Sequence, residues 1–303
     1  MKQINVVTGS SGFIGKELVS QLRLKPDIKV YEISNSKTGY SNQDSTKVDL
    51  NNLESVMAFM SQVRPDKIFH LASKSSVVDS WHSPAETIFY NHEITKNIVE
   101  AIKQTSPNTR LIHFSSSAVY ARSQEAIQEV DHLGPDSPYG ISKLMGEMEV
   151  QTLENHLILR PFFVIGPGKK GDVLDDWFSQ AAKFKSQVEI ELNVGNIDTV
   201  RDFISCVDAT RLIIELENKI QKSEIYNICT GRETILKDLL EKFLEIVGPI
   251  KSLEINTAHK SRLRDRPYVV GNASKLREAH IEIPNLNIDT LLKEMYLQRS
   301  PRI

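Results

Sequence analysis

Ile4-Asn5-Val6-Val7-Thr8-Gly9-Ser10-Ser11-Gly12-Phe13-Ile14-Gly15 carries a strand pattern straight into glycines at positions 9, 12 and 15. Ile14, Leu18 and Leu22 follow at a spacing of four, which predicts an amphipathic helix. Glycine lets a backbone turn sharply and come close to a pyrophosphate. The helix that follows aims its N-terminal amides and positive dipole end at the same point. The spacing is GxxGxxG rather than GxGxxG, and a glycine turn alone carries little weight. Its value is that it predicts where the rest of a nucleotide site lies.

At 303 residues the chain is long enough for a large buried core and two lobes. Apolar content of 40% and charged content of 25% are ordinary for a globular protein. A net charge of -2 argues against a nucleic-acid partner, which needs a basic surface. No apolar stretch approaches the roughly 20 residues that span a bilayer, so no membrane role is expected. Met1-Lys2-Gln3 enters the first strand at once, leaving no room for a signal peptide. Cys206 and Cys229 make no disulfide framework, and no Cys/His spacing points to a metal. A cytoplasmic location fits these features.

Short apolar runs alternate with helical patterns in the first half, the signature of a parallel α/β sheet. Strands are predicted at 3–7, 29–33, 67–71, 110–114 and 157–162, with a shorter one ending near Asp49. Helices are predicted at 12–24, 53–63, 84–104 and 139–154. After Phe162 the texture changes. Gly166-Pro167-Gly168-Lys169-Lys170-Gly171-Asp172 reads as a loop, followed by helices mixed with short strands at 189–194 and 224–229. The expected division is a nucleotide-binding domain over 1–165 and a smaller lobe over 166–303, with the chain crossing between them.

Ligands of an open α/β sheet bind beyond the carboxyl ends of its strands. Gly9, Ser34, Asp49, Ser73 and Ser116 all fall there. Tyr139-Gly140-Ile141-Ser142-Lys143 places a tyrosine and a lysine on one helical face. An ammonium beside a phenol lowers its pKa toward neutrality and makes it a usable acid or base. Ser116, earlier in the chain within Ser115-Ser116-Ser117, offers a hydroxyl to a substrate oxygen.

Together these residues resemble the extended short-chain dehydrogenase/reductases of the nucleotide-sugar epimerase/dehydratase/reductase superfamily. The likeness runs from Thr8–Gly15 through Val48-Asp49-Leu50, Ile68-Phe69-His70-Leu71-Ala72-Ser73, Asn91 and the Ser116/Tyr139/Lys143 triad. It continues in Arg160-Pro161-Phe162-Phe163, Gly166-Pro167-Gly168, Val200-Arg201-Asp202-Phe203 and Ile225-Tyr226-Asn227-Ile228. The resemblance implies a Rossmann-type doubly wound parallel sheet with a smaller C-terminal α+β substrate lobe. It implies hydride transfer between a nicotinamide and a carbon of a nucleotide-linked sugar. Tyr139 would be the general acid/base, Lys143 its electrostatic partner and ribose ligand, and Ser116 the group that positions the sugar oxygen. Gly9, Ser11, Gly12, Phe13, Ile14 and Gly15 would meet the pyrophosphate, Asp49 and Leu50 the adenine, and Leu71, Ala72, Ser73 and Lys74 the ribose. Asn91 and Phe162 complete the cofactor side. Ser76, Val77, Ser116, Ser117, Phe163 and Arg201 would line the substrate, with Arg262 as a further phosphate contact beside Arg264 and Arg266.

Sugar 4,6-dehydratases of this superfamily follow the serine with an Asp-Glu pair. Here Ser117 and Ala118 stand there, so reductases and C4 epimerases remain. Lys74-Ser75-Ser76-Val77-Val78-Asp79-Ser80-Trp81 and the stretch from Gly195 to Phe203 resemble GDP-4-keto-6-deoxy-mannose reductases, which favours reduction. After the second strand come Ser34, Asn35, Ser36 and Lys37, which suit NADP(H). Glu32, two residues upstream, would favour NAD(H) if the register shifted. The NAD-dependent C4 epimerase stays as the alternative. Two positions depart from the superfamily's pattern: Phe163 where relatives carry an asparagine that contacts the substrate, and Tyr120-Ala121-Arg122 where they carry Tyr-Gly. Relatives pair the helices matching 84–104 and 139–154 in a dimer, so a homodimer is expected, in bacterial surface-polysaccharide or deoxysugar synthesis.

Overall fold

Val6 and Val7 are neighbours in one strand yet belong to different cores, because successive strand side chains point to opposite faces of a sheet. The structure, a computed structural model, describes residues 2–34, 45–182, 190–248, 253–256 and 265–299. Its first part contains β1 (Gln3–Thr8), α1 (Phe13–Arg23), β2 (Ile28–Ile33), β3 (Ser45–Thr46), α2 (Leu53–Val63) and β4 (Lys67–His70). There follow α3 (Val77–His82), α4 (Pro84–Thr105), β5 (Arg110–Phe114), α5 (Pro138–Val150), β6 (His156–Pro161) and β7 (Phe163–Ile165). The chain continues through α6 (Val173–Ala181), β8 (Ile190–Asn193), β9 (Val200–Arg201), β10 (Phe203–Ser205), α7 (Cys206–Lys219) and β11 (Glu224–Ile228). It ends with β12 (Thr234–Ile235), α8 (Leu236–Val247), β13 (Leu253–Asn256), β14 (Tyr268–Val269), α9 (Ser274–Glu278) and α10 (Ile288–Arg299).

Among the described residues, seven parallel strands form the central sheet in the order β11-β6-β5-β4-β1-β2-β3. This is the expected doubly wound α/β topology, and the order reverses between β1 and β4, opening a crevice at their carboxyl ends. Val7, Phe69, Ile112 and Leu157 face one core with Leu18 and Leu22 of α1 and Leu212 and Leu216 of α7. Val6, Ile68, Leu111 and Ile158 face the other with Met60 of α2 and Ile94, Ile98 and Ile102 of α4. Truncating a fully buried leucine such as Leu18 costs about 2–5 kcal/mol.

A third core joins Leu174, Trp177 and Phe178 of α6 to Leu239, Leu240 and Phe243 of α8 and Leu292 and Met295 of α10. Small sheets, β12-β9-β14 and β13-β8, accompany it. Between these parts the chain returns to the main sheet: α7 packs on α1, and β11 pairs with β6 as the edge strand.

Of the expected helices, 139–154 departs most from the structure, which has Pro138–Val150. Ser137 caps the helix through its hydroxyl, which accepts from Gly140 N at 3.1 Å, and Pro138 takes the first turn. At the other end the amides of Thr152 and Leu153 bond three residues back, to Glu149 and Val150, tightening the chain out of the helix.

Candidate active site

The turn after β1 is built so that only glycine fits at two places. Gly9 has φ +69, and a Cβ at Gly15 would lie 2.2 Å from the Gly9 carbonyl oxygen. Gly12 N donates to Gly9 O at 2.9 Å, and Gly12 begins α1 with no side-chain cap and no acidic residue in the first turn. The first-turn amides of α1 are thus left for a ligand, in the form that favours an anion. Ser11, Phe13 and Ile14 are part-buried around this turn. A dinucleotide pyrophosphate fits this cradle.

Next to it, Thr8 and Asn91 tie the turn to the loop after β4 and to α5. Thr95 Oγ1 donates to Asn91 O at 2.9 Å, so it accepts from His70 Nε2 at 3.1 Å. His70 Nδ1 then accepts from Thr8 Oγ1 at 2.8 Å, and that hydroxyl accepts from Ala72 N at 3.2 Å. Burial, aided by the charge of Lys143, lowers the His70 pKa to about 3 and keeps the ring neutral. Asn91 Oδ1 accepts from Lys74 N at 2.7 Å, while its Nδ2 donates to Lys74 O at 3.1 Å and Ser142 Oγ at 2.9 Å. The segment from Leu71 to Lys74 is therefore fixed beside the glycine turn.

Ser116, Tyr139 and Lys143 come together at the carboxyl end of β5. A Cβ on Gly140 would lie 2.4 Å from Ala118 O, which is how closely α5 approaches the turn after Ser116. Ser116 Oγ accepts from Ala118 N at 3.1 Å. Burial raises the Tyr139 pKa to about 12, against a hydrogen bond with Ser116 that lowers it. The depression toward neutrality expected from Lys143 is not seen, because burial outweighs the hydrogen bond with Ser116. Lys143 Nζ donates to Phe114 O at 2.7 Å and lies 5.8 Å from the centroid of the Tyr139 ring. Its own pKa is lowered by burial to about 8, with Glu147 pulling the other way.

Glu147, one turn beyond Lys143, is a residue the sequence reading missed. Arg160 clasps it by two bonds, Nε to Oε1 at 2.9 Å and Nη2 to Oε2 at 2.6 Å, and Ser115 Oγ donates to it as well. Arg160 Nη1 also donates to Tyr120 Oη at 2.8 Å, which donates to Asn227 Oδ1 at 2.6 Å. The motif residues Tyr120, Arg160 and Asn227 thus form a buried floor under the site. A carboxylate four residues after the lysine was the available signal for Glu147.

Other predicted residues fall as follows. Ser34 follows β2, and Glu32 within β2 pairs with Arg23 of α1 at 2.7 Å. Asp49 is exposed and accepts from Asn51 N at 3.0 Å, whereas Leu50 is buried. Ser76 Oγ accepts from Asp79 N at 3.0 Å as the cap of α3, and Val77 is exposed. Ser117 and Phe162 are buried, the latter within the core that holds α1 and α7. Asn35, Ser36, Lys37 and Arg262 lie outside the described residues. Arg201, nearly buried, pairs with Asp265 at 2.8 Å, and Arg266 pairs with Asp136 at 2.7 Å, a carboxylate that also binds Arg122 at 3.1 Å. The Asp202 carboxylate accepts from Thr230 N at 2.9 Å, Thr230 Oγ1 at 2.6 Å and Gly231 N at 2.8 Å.

Residues 5–229 match the model of the NAD dependent epimerase/dehydratase family. The chain belongs to this family. It is an NAD(P)-dependent enzyme. GDP-6-deoxy-D-mannose reductase of Pseudomonas aeruginosa is 28% identical over 314 residues, covering 100% of this chain and 99% of that protein. GDP-6-deoxy-D-talose 4-dehydrogenase of Aggregatibacter actinomycetemcomitans is 29% identical, covering 97% of each chain. Among solved structures, RMD from Pseudomonas aeruginosa complexed with NADPH superimposes with a TM-score of 0.81 at 25% identity, covering 98% of each chain. The UDP-glucose 4-epimerase of Thermotoga maritima with UDP-glucose gives 0.84 at 24% identity, covering 98% of this chain and 99% of that one, a likeness of fold. Among the described residues no helix is long and apolar enough to cross a membrane.

Proposed function

We propose that this enzyme reduces a nucleotide-linked 4-keto-6-deoxyhexose, GDP-linked, to the 4-hydroxy 6-deoxy sugar with NADP(H), Tyr139 acting as general acid. The observation that supports this reading is geometric: the Tyr139 phenol is hydrogen-bonded to Ser116, and Lys143 Nζ lies 5.8 Å from the Tyr139 ring centroid, all three at the carboxyl end of β5. A ketone reduced to an alcohol must receive a proton, and a phenol hydrogen-bonded beside a second hydroxyl donor can supply it. Ser117 and Ala118 offer no carboxylate for eliminating water. The two relatives at 28% and 29% identity, both named for GDP-6-deoxy sugars, support the substrate class.

The glycine turn, the amides of α1, the segment from Leu71 to Lys74 and Lys143 would hold the cofactor. Bound there, a reduced nicotinamide is a hydride donor. Ser116 Oγ and Tyr139 Oη donate to the sugar's C4 oxygen and orient it. The proton of Tyr139 Oη then passes to that oxygen as it becomes a hydroxyl, and the Lys143 charge stabilises the phenolate left behind. For the choice of NADP(H), Glu32 is engaged by Arg23 rather than offered at the strand end, and Ser34 at that end carries no charge to repel a 2′-phosphate. The unit of function is a homodimer.

The test is NADPH oxidation with freshly generated 4-keto-6-deoxy sugar nucleotides, together with identification of any nucleotide released by denaturing the purified protein. Stoichiometric NADPH loss with no retained NAD is the expected result. Absence of NADPH loss with GDP-, dTDP- and CDP-linked keto sugars overturns it. Tightly held NAD with sugar interconversion establishes the C4 epimerase instead.

A further inference from the structure

Phe163 opens β7 at the junction of two cores, packing against both the α1/α7 core and the α6/α8/α10 core. Its ring meets Phe203 of β10 edge-on, centroids 5.8 Å apart, and its amide donates to Asp202 O at 3.1 Å. The Arg201 guanidinium lies over the same ring, 5.3 Å from its centroid. Arg201 Nη2 donates to Asp265 Oδ1 at 2.8 Å, and Nη1 donates to Val200 O at 2.9 Å and Pro267 O at 3.5 Å. Arg201 is 8% exposed at the side chain, whereas Asp265 is 30% exposed.

We propose that Phe163 is a positioning residue for substrate: a cation–π platform that holds Arg201 flat so that its in-plane donors grip a nucleoside diphosphate. The proposal rests on the reading of the site as a nucleotide-sugar site. An aromatic ring covers the face of a guanidinium without consuming its N–H donors, and those donors form the fork that matches two phosphate oxygens. Asp265, the more exposed partner, is the group whose place the diphosphate takes. An asparagine at this position would bond a ligand directly but leave the guanidinium face uncovered. The ring does the converse and passes the whole contact to Arg201. The backbone beneath is already fixed, since the neighbouring Asp202 carboxylate is held by Thr230 and Gly231.

The experiment measures GDP and UDP binding to the full-length protein by calorimetry, with NADPH affinity measured alongside. Phe163→Leu removes the platform and is expected to weaken nucleoside diphosphate binding about threefold to thirtyfold, leaving NADPH affinity unchanged. Phe163→Tyr keeps an aromatic face and retains wild-type affinity. In an Arg201→Ala background the Phe163→Leu change has no further effect. With a substrate in hand, Phe163→Leu raises KM and leaves kcat in place. Wild-type affinity in Phe163→Leu, an equal loss of NADPH affinity, or additive losses with Arg201→Ala overturn the platform. Wild-type protein that binds neither diphosphate overturns it together with the reading beneath it.

Discussion

Lys143 keeps an ammonium in a buried place, and Glu147 is the counter-charge that makes this sustainable. Burial lowers the lysine pKa to about 8, so the ammonium is present below that pH and lost above it. In the proposed mechanism that ammonium stabilises the phenolate left by proton transfer, so kcat for reduction is expected to fall as pH rises through about 8. Glu147 raises the lysine pKa, so Glu147→Gln moves this alkaline limb to lower pH while conserving the shape of the side chain. A pH–kcat profile decides it, and an unmoved limb refutes the coupling. Tyr139→Phe is expected to cut turnover by about 10²–10⁴-fold with cofactor affinity retained, measured by steady-state kinetics and NADPH titration. Ser116, Tyr139 and Lys143 were legible in sequence because a spacing of four fixes a helical face and a serine after a strand fixes an end. The protonation state of Tyr139 was not, since its direction follows burial, and burial is a property of the folded chain.

Asn91 shows what an element contributes beyond its own stripe of apolar residues. One side chain on α4 joins the loop at Lys74 to Ser142 of α5, so three separate segments share a single geometry. Asn91→Ala strands the Lys74 amide and carbonyl without their partner, and each lost bond of this kind costs roughly 1–3 kcal/mol. The expected outcome is a lower thermal midpoint together with cofactor affinity weakened by about tenfold. A drop in stability with cofactor affinity intact would show that the loop position does not matter for binding. The strands and helices of the sheet were readable because alternation and fourfold spacing are local signals. The end of α5 was misjudged because apolar Leu153 continues the helical pattern after the backbone has left it. Contacts such as Asn91 to Lys74 depend on how elements dock, which no local pattern encodes.

At the scale of the molecule, a crossing of the chain between lobes was expected, but not that β11 makes it, since Glu224–Ile228 reads as one more short strand of the later chain. The proposed homodimer is where the surface has a consequence of its own. Helices α4 and α5 pack on each other and present Phe89, 69% exposed, and Met148, 64% exposed. In a two-fold interface each residue is used twice, so a single substitution counts twice against assembly. Burying a side chain of this size contributes about 1.5–3 kcal/mol, so Met148→Glu removes at least that amount at both copies and adds two charges to be desolvated. Sedimentation velocity is expected to show the wild type as a dimer and Met148→Glu as a monomer, with Phe89→Glu behaving the same way. The proposed triad comes from one chain, so the monomeric variants are expected to keep cofactor binding. A wild type that sediments as a monomer, or variants that remain dimeric, would place the contact elsewhere or remove it.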